Sequence, residues 1–428
     1  MLAARRDGTL PRMDPAQPAA PPRTDPAQEA RARMVDALRR DGRVRSDTVA
    51  WAMSAVPRHL FLPDATVETA YADSAVVTKV VAGVALSSAS QPSMVAIMLE
   101  QLDLHPGQRV LEIGAGTGYN AALIARLVGA SGAVTTVDID EDIVVAAAGH
   151  LVAAGYPDVV LVTGDGALGH PPGAPYDRVV LTVGSADLRP EWIAQLAPDG
   201  RLLLPLRVRG SQLSVAFDLG ADGLLRSTSV RSCAFIRLRG AGAGAEPVAA
   251  LGTDGWSAEP ADPGTPVPDP DALRAAVDRP GTEEPLGVRL SAADVWDGLG
   301  LWLALGEPRT LRLVARGTAA ESPAAAGLVA VAGARATIAL PGTGGFVALV
   351  QDDAGGPARM RCHGDPGCDA VARLGALVDV WVAAGRPHAA DLQLTAFPQG
   401  CAATPAAGDC LVELGSATLL VEYLGPVA

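Results

Sequence analysis

Val110-Leu111-Glu112-Ile113-Gly114-Ala115-Gly116-Thr117-Gly118-Tyr119 runs from an apolar stretch into three alternating glycines. Ala121, Leu123, Ile124, Leu127 and Val128 then recur at helical spacing, and Asp138 stands 20 positions beyond Gly118. A strand, a glycine turn, a helix and an acid closing the next strand is how a doubly wound sheet holds a nucleoside. The glycines let the backbone approach a ligand closely, and a carboxylate at the second strand end can take both ribose hydroxyls.

Working outward, strands are expected at 109–113, 133–137, 158–163, 177–182 and 201–205, with helices at 119–128, 141–154 and 188–196. This alternation predicts a parallel sheet covered on both faces. Residues 212–219 and 230–238 add two edge strands, expected to be antiparallel. Upstream, 29–56 reads as a helical pair, 67–91 holds no clean period, and Pro92 opens a helix carried by Met94, Ile97, Met98 and Leu102. The fold class is α/β: a doubly wound, mostly parallel, Rossmann-like sheet followed by a C-terminal α+β domain.

The chain has 428 residues, long for one core, and 49% of them are hydrophobic. Residues 1–28, rich in Pro and Ala, are expected to be disordered. The catalytic unit is placed at 29–240. Residues 241–270 read as a linker, because Gly240, Gly242 and Gly244 and then Pro260, Pro263, Pro266, Pro268 and Pro270 punctuate them. Residues 271–428 form the accessory domain: a capping box at Ser291 and Asp294, strands at 309–315, 345–351 and 390–396, a helix near 368–384, and a hairpin around Gly415.

The formal net charge of −13 argues against nucleic acid as a partner. No stretch approaches the ~18 apolar residues of a membrane span, so no membrane partner is expected. Five cysteines without a Cys-x-x-Cys pair fit a reducing cytoplasm. Cys362, His363, Cys368, Cys401 and Cys410 lack the tight pairs of a zinc site, and no metal is expected. Trp296, Trp302 and Trp381 read as core. A homodimer is one possible use of the second domain.

Four further features follow the glycine turn in order. Glu112 precedes it, Asp138 ends the second strand, Gly164-Asp165-Gly166 ends the third, and the fourth runs from Asp177 to Thr182. A dinucleotide needs its pyrophosphate on the helix N-terminus, where Glu112 would repel it. An acid there suits an amino-acid ammonium group, which favours S-adenosyl-L-methionine over NAD. Asp165 is then expected to face the adenine amino group. The alternative is that these acids only cap turns.

Val56-Pro57-Arg58 with Phe61 and Pro63, Ala70-Tyr71-Ala72-Asp73, Ser90-Gln91-Pro92, the glycine stretch, Gly164-Asp165-Gly166, Tyr176-Asp177-Arg178 and Gly200-Arg201-Leu202 resemble the protein-L-isoaspartate O-methyltransferases. The resemblance spans roughly residues 45–240. It implies a cofactor site of Glu112, Gly114, Ala115, Gly116, Tyr119, Asp138, Ile139, Gly164, Asp165, Gly166 and Thr182. It puts Ser88 and Ser90 where the family keeps its substrate-binding hydroxyls, with Asp73, Val77 and Gln91 where substrate enters. Helix N-capping before Pro92 is the plainer role for one of the two serines.

Carboxylate methylation needs no general base, since a carboxyl of pKa ~4 is already ionised at pH 7. None of the six histidines sits in a motif. Two departures stand out: Ser74 after Asp73, and Val77-Thr78-Lys79-Val80-Val81-Ala82-Gly83 in place of a short loop. Ser87-Ser88-Ala89-Ser90-Gln91-Pro92, Val137-Asp138-Ile139-Asp140-Glu141-Asp142 and the C-terminal extension resemble family relatives that act on ribosomally made peptides of the lanthipeptide and graspetide classes. The resulting expectation is an S-adenosyl-L-methionine-dependent carboxyl O-methyltransferase acting on Asp or isoAsp in a peptide, whose methyl ester collapses to aspartimide. General isoaspartate repair is the alternative, and a non-catalytic cofactor-binding protein a third.

Overall fold

The computed structural model describes residues 25–424 apart from 246, 292, 332, 353–355 and 366–367. Most of the segment expected to be disordered lies outside the described residues. Residues 26–28 do not belong to it. They open helix α1 (Pro26–Arg40), with Pro26 in the first turn and the Asp25 carboxylate accepting the Ala27 N–H. α2 (Asp47–Ala55) starts at Ser46, whose hydroxyl accepts the Val49 N–H. α3 (Val67–Tyr71) then leads into an antiparallel hairpin of β1 (Val76–Val81) and β2 (Val84–Ala89). This is the stretch without a period. Val77, Val80, Val81 and Val84 are all at least half exposed, so little of the hairpin is buried to impose alternation.

Strand and helix alternation follows the expected order, with the bounds near the expected ones as far as residue 181; the expected helix 188–196 shrinks to four residues and the next strand starts at 196, not 201. In order come α4 (Pro92–Leu102), β3 (Arg109–Ile113), α5 (Tyr119–Val128), β4 (Ala133–Asp138), α6 (Glu141–Ala153) and β5 (Val160–Thr163). β6 (Tyr176–Leu181), the short α7 (Pro190–Ile193) and β7 (Leu196–Val208) complete the parallel part, in spatial order β5-β4-β3-β6-β7. The chain runs outward from β3 in one direction through β4 and β5, then returns to its other side with β6. A crevice opens at the carboxyl ends of strands where such an order reverses. β8 (Ser211–Leu219) and β9 (Leu225–Ser232) extend the sheet antiparallel. The second edge strand thus runs over 225–232 and not over 230–238.

The expected linker holds two strands, β10 (Ala249–Leu251) and β11 (Trp256–Pro260), and buries Leu251, Trp256 and Ala258. Glycine and proline there mark the turns of a folded sheet. α8 (Pro270–Val277), β12 (Pro280–Pro285), α9 (Leu299–Gly306), β13 (Leu311–Arg316), β14 (Val329–Val331), β15 (Ala334–Gly342), β16 (Gly345–Val350), β17 (Arg359–Gly364) and α10 (Ala370–Ala383) complete this second unit. Its sheet has the order β10-β11-β13-β15-β16-β17-β12, with β14 on β15. The Ser291–Asp294 box is present: the Ser291 hydroxyl accepts the Asp294 N–H at 3.0 Å and the Asp294 carboxylate accepts the Ser291 N–H at 2.7 Å.

The last strands leave that unit. β18 (Leu392–Pro398), β19 (Cys410–Glu413) and β20 (Ala417–Tyr423) join β9 and make the first sheet ten-stranded, in the order β19-β20-β18-β9-β8-β7-β6-β3-β4-β5. The hairpin around Gly415 is real, but it belongs to the catalytic sheet, so 271–428 is not one unit. Leu392, Leu394, Leu419 and Val421 share a core with Val215 and Phe217. α9 ties the two halves together. Leu301 and Leu305 enter that core while Leu299 and Leu303 enter the core of the second sheet. A helix apolar all round is buried on both sides.

Candidate active site

A cleft of about 550 Å3 opens beyond the carboxyl ends of β3 and β6. The glycine turn forms its floor. Gly114, Gly116 and Gly118 have φ of +101°, +50° and +86°, in the left-handed region that favours glycine. A Cβ on Gly114 would stand 2.7 Å from the Thr182 Oγ1. That hydroxyl donates to the Gly114 carbonyl at 2.6 Å, so Thr182 holds the turn closed and lines the cleft. Ala115, Gly116 and Tyr119 line it as well.

Glu112 lies at the end of β3, fully buried yet on the cleft wall. One carboxylate oxygen accepts from the Thr136 hydroxyl at 2.6 Å, the other from the Asn120 amide at 2.8 Å. Burial pushes its pKa up to about 7, and these two bonds only partly offset it. Asp138, also in the cleft wall, accepts the N–H of Gly116 and of Asp140, each at 3.2 Å. A buried acid and a second carboxylate around a glycine cradle fit a ligand that carries a cation and vicinal hydroxyls.

β2 and the start of α4 face this floor. Ser88, Ser90 and Gln91 line the cleft, and Val77 of β1 stands at its mouth. Among the described residues neither serine hydroxyl makes a hydrogen bond. Neither caps α4: the Ser93 N–H is taken instead by the Asp73 carboxylate at 2.8 Å. Asp73 also accepts from the Gln91 amide at 3.0 Å. It is therefore not among the lining residues; it is a remote cap that aims Gln91. Arg58 is completely buried and ties the segment down, donating to the Ala70 and Ser90 carbonyls at 2.8 Å each.

Four expected cofactor residues are not brought to the cleft lining. Ile139 is 37% exposed. Gly164, Asp165 and Gly166 line a different turn, and a Cβ on Gly166 would meet the Ile113 side chain at 2.4 Å. The Asp165 carboxylate accepts the N–H of Ala167 at 2.9 Å and of Ala241 at 2.7 Å. The chain itself covers this edge. Residues 233–239 cross the strand ends, held by Gln212 on both sides of the Phe235 peptide and by backbone bonds between Gly184 and Ile236 and Leu238. Arg239 then grips Asp140 at 2.8 Å, and Lys79 of the hairpin reaches the same carboxylate at 2.8 Å. Both cations hold the Asp140 carboxyl below its usual range.

Sequence reasoning missed Arg58, Asn120, Thr136, Gln212, Lys79 and Arg239 as parts of this site. Arg58 and Lys79 stand within Val56-Pro57-Arg58 and the 77–83 segment, but only tertiary contact reveals their partners. Among the described residues no group of three or more His, Cys, Asp or Glu is placed to hold a metal ion. Cys362 and Cys368 are buried in the second core, and His363 stacks on Phe346 with ring centres 4.6 Å apart. Trp381 is fully buried, whereas Trp296 lies only partly in the core and under Arg312.

Residues 29–242 match the model of the family described as protein-L-isoaspartate(D-aspartate) O-methyltransferase. A protein-L-isoaspartate O-methyltransferase of Methanopyrus kandleri is 41% identical over 212 residues, 49% of this chain and 92% of that one. One of Hyperthermus butylicus is 39% identical over 220 residues, 50% of this chain and 89% of its own. A solved structure titled protein-L-isoaspartate O-methyltransferase covers 92% of this chain and 99% of its own, at 24% identity and a TM-score of 0.49. The family's methyl donor is S-adenosyl-L-methionine, and the buried Glu112, the glycine cradle and Asp138 fit it. The chain belongs to the protein-L-isoaspartate(D-aspartate) O-methyltransferase family of enzymes.

Proposed function

We propose that this enzyme methylates the free carboxylate of an isoaspartyl residue in a protein or peptide, in the sense of repair. The carrying observation is the pair of unengaged hydroxyls, Ser88 and Ser90, beside the glycine turn in a described lining without histidine or lysine, whose cations are Arg43 and the carbonyl-bound Arg58. S-adenosyl-L-methionine supplies an electrophilic methyl group on sulfur. The substrate carboxylate forms the new O–C bond as the methyl–sulfur bond breaks and its electron pair returns to sulfur. No proton moves, so the protein's work is alignment and exclusion of water. Ser88 and Ser90 hold the carboxylate by neutral hydrogen bonds, which orient it without quenching it. Asp138 takes the ribose hydroxyls and Glu112, as carboxylate, faces the cationic end. The ester then activates the carbonyl for attack by the adjacent backbone nitrogen, expelling methanol and closing a succinimide.

The relatives named above favour an isoaspartyl substrate over a constrained ribosomal peptide. Val77 at the cleft mouth and the exposed valines of the hairpin that carries it favour a more selective partner, and a tailoring role on such a peptide is the second reading. A cytoplasmic setting accords with the free cysteines and with no described helix being long and apolar enough to cross a membrane. The test is mass spectrometry of methyl transfer to three peptides: linear isoaspartyl, its normal aspartyl isomer, and a cyclised aspartyl peptide. One methyl gained by the first and then lost to succinimide supports repair. Methylation of the cyclised peptide alone transfers the assignment to tailoring. Methylation of none, with the cofactor bound in a calorimeter, refutes the substrate assignment.

A further inference from the structure

Arg43 lines the catalytic cleft, and the turn after α1 sets its place there. Gly42 takes φ +67°, the left-handed conformation that stops a helix. The Gly42 N–H bonds the Arg39 carbonyl at 3.1 Å and the Arg43 N–H bonds the Leu38 carbonyl at 2.8 Å. Val44 is buried, so the backbone is anchored immediately after Arg43. Next, one oxygen of the Glu100 carboxylate on α4 accepts the N–H of Arg45 and of Ser46 at 2.8 Å each, and the Ser46 hydroxyl at 3.0 Å. The segment is fastened at both ends while the Arg43 side chain stays exposed. Among the described residues that side chain makes no hydrogen bond and no ion pair.

Charge is unevenly placed in the cleft. Its acids, Glu112 and Asp138, stand around the glycine turn, where a Cβ on Gly116 would lie 3.8 Å from the Ser88 carbonyl. Of its two described cations, Arg58 is buried and donates to backbone carbonyls, so Arg43 carries the exposed charge. Arg231, beside the lining residue Ser232, marks the same region as electropositive. Burial holds its pKa below the usual range, Arg45 and Arg43 lower it further, and Asp297 and Asp391 act against them. Glu100 stands ten positions beyond Ser90, and Met94, Ile97 and Met98 line the cleft between them. At a rise of about 1.5 Å per residue, the Arg43 segment is pinned on the order of 10 Å from the serine pair. That is too far to quench the carboxylate the serines hold.

We propose that Arg43 is a specificity-determining residue that receives a carboxylate side chain of the substrate polypeptide, about three residues from the methylated position. The inference rests on the methyltransferase reading and names a feature of its substrate. An extended chain advances about 3.3 Å per residue, so about three residues span the distance from the serines to Arg43. The wall along that path is apolar, and a guanidinium at its end takes a carboxylate through two parallel N–H bonds. Because the contact is remote from the reacting oxygen, it strengthens ground state and transition state alike and acts on KM.

The test uses the full chain, S-adenosyl-L-methionine and isoaspartyl peptides carrying one Glu two, three, four or six residues to either side of the isoaspartyl position, each with its Gln counterpart. In the parent enzyme the preferred Glu peptide should have a KM about fivefold below that of its Gln counterpart. The preference should peak near three residues, fade as salt rises, and leave kcat equal within the pair. Arg43→Gln should bring the two KM values together, and Arg43→Glu should prefer a Lys at that position. Anisotropy of the labelled pair, with S-adenosyl-L-homocysteine present, reads binding independently of turnover. Equal KM within every pair, or a preference that survives Arg43→Gln, overturns the proposal and leaves the methylation reading standing. Weakened cofactor affinity in Arg43→Gln also overturns it, by assigning Arg43 to the cofactor. Methylation of no peptide, with tighter binding of the Glu peptide that requires Arg43, sustains this contact and refutes the methylation reading instead.

Discussion

Glu112 in the catalytic sheet and His363 in the second sheet are both buried titratable side chains, and their surroundings differ. Glu112 borders a cleft and is held by two polar partners that came with it, Asn120 and Thr136. His363 lies flat against Phe346 inside a core. Burial pushes the acid up to about 7 and the histidine down to about 4, each toward its neutral form. The acid can recover its charge when a cation enters the cleft; the histidine has no such ligand to meet. A buried titratable group beside a cavity is available to function, whereas one within packed rings serves the fold. The same contrast separates the two halves of the chain.

Four changes probe this contrast. Phe346→Ala in the second core should cost about 3–5 kcal/mol of stability by leaving a cavity, while the folded protein keeps its cofactor affinity in calorimetry. A parallel loss of affinity would mean that the second core shapes the cleft directly. Asp138→Ala should act the other way, weakening the cofactor by about 2 kcal/mol, on the order of thirtyfold, with little change in melting. Ser90→Ala should lower kcat/KM about tenfold and leave cofactor affinity alone. Unchanged turnover would remove the serine pair from the carboxylate site.

The smallest effects are in pH. Glu112 in the folded protein keeps its proton up to about 7, while in the unfolded chain it loses it near 4.5. Stability of the ligand-free enzyme from this group is therefore full below pH 4.5 and falls as pH rises toward 7. His363 has the opposite slope: its contribution is full above pH 6.5 and falls as pH drops toward 4. Cofactor affinity should rise between pH 6 and 8 as Glu112 ionises. Glu112→Gln should flatten that rise and abolish the corresponding slope in melting, and a rise that survives the substitution would assign it to another group.

Much of the catalytic half was legible because its chemistry is local. The apolar run into Gly114, the helix from Tyr119 and the acid at Asp138 each follow from neighbours in sequence, and β3 and α5 fall on the expected bounds. The Ser291–Asp294 box is local in the same way. Where partners are distant, the sequence is silent. Asp73 looked like a substrate residue because nothing nearby in sequence shows that it caps α4 from 20 positions away. That the Asp165 carboxylate also holds the Ala241 N–H, across 76 positions, is likewise not legible. Prolines and glycines at 241–270 looked like a linker because turns of a folded sheet and turns of a tether use the same residues.

From the sequence alone come the parallel α/β unit, its glycine turn with the flanking acids, and the family resemblance, since all three rest on short-range periodicity and spacing. Tertiary structure decided that β18 to β20 cross back to complete the catalytic sheet, that residues 233–242 roof its edge, and that Glu100 of α4 pins the segment that sets Arg43 into the cleft lining. Each of these depends on long-range contacts, whose partners are selected by the packing of whole faces and not by the residues adjacent in the chain.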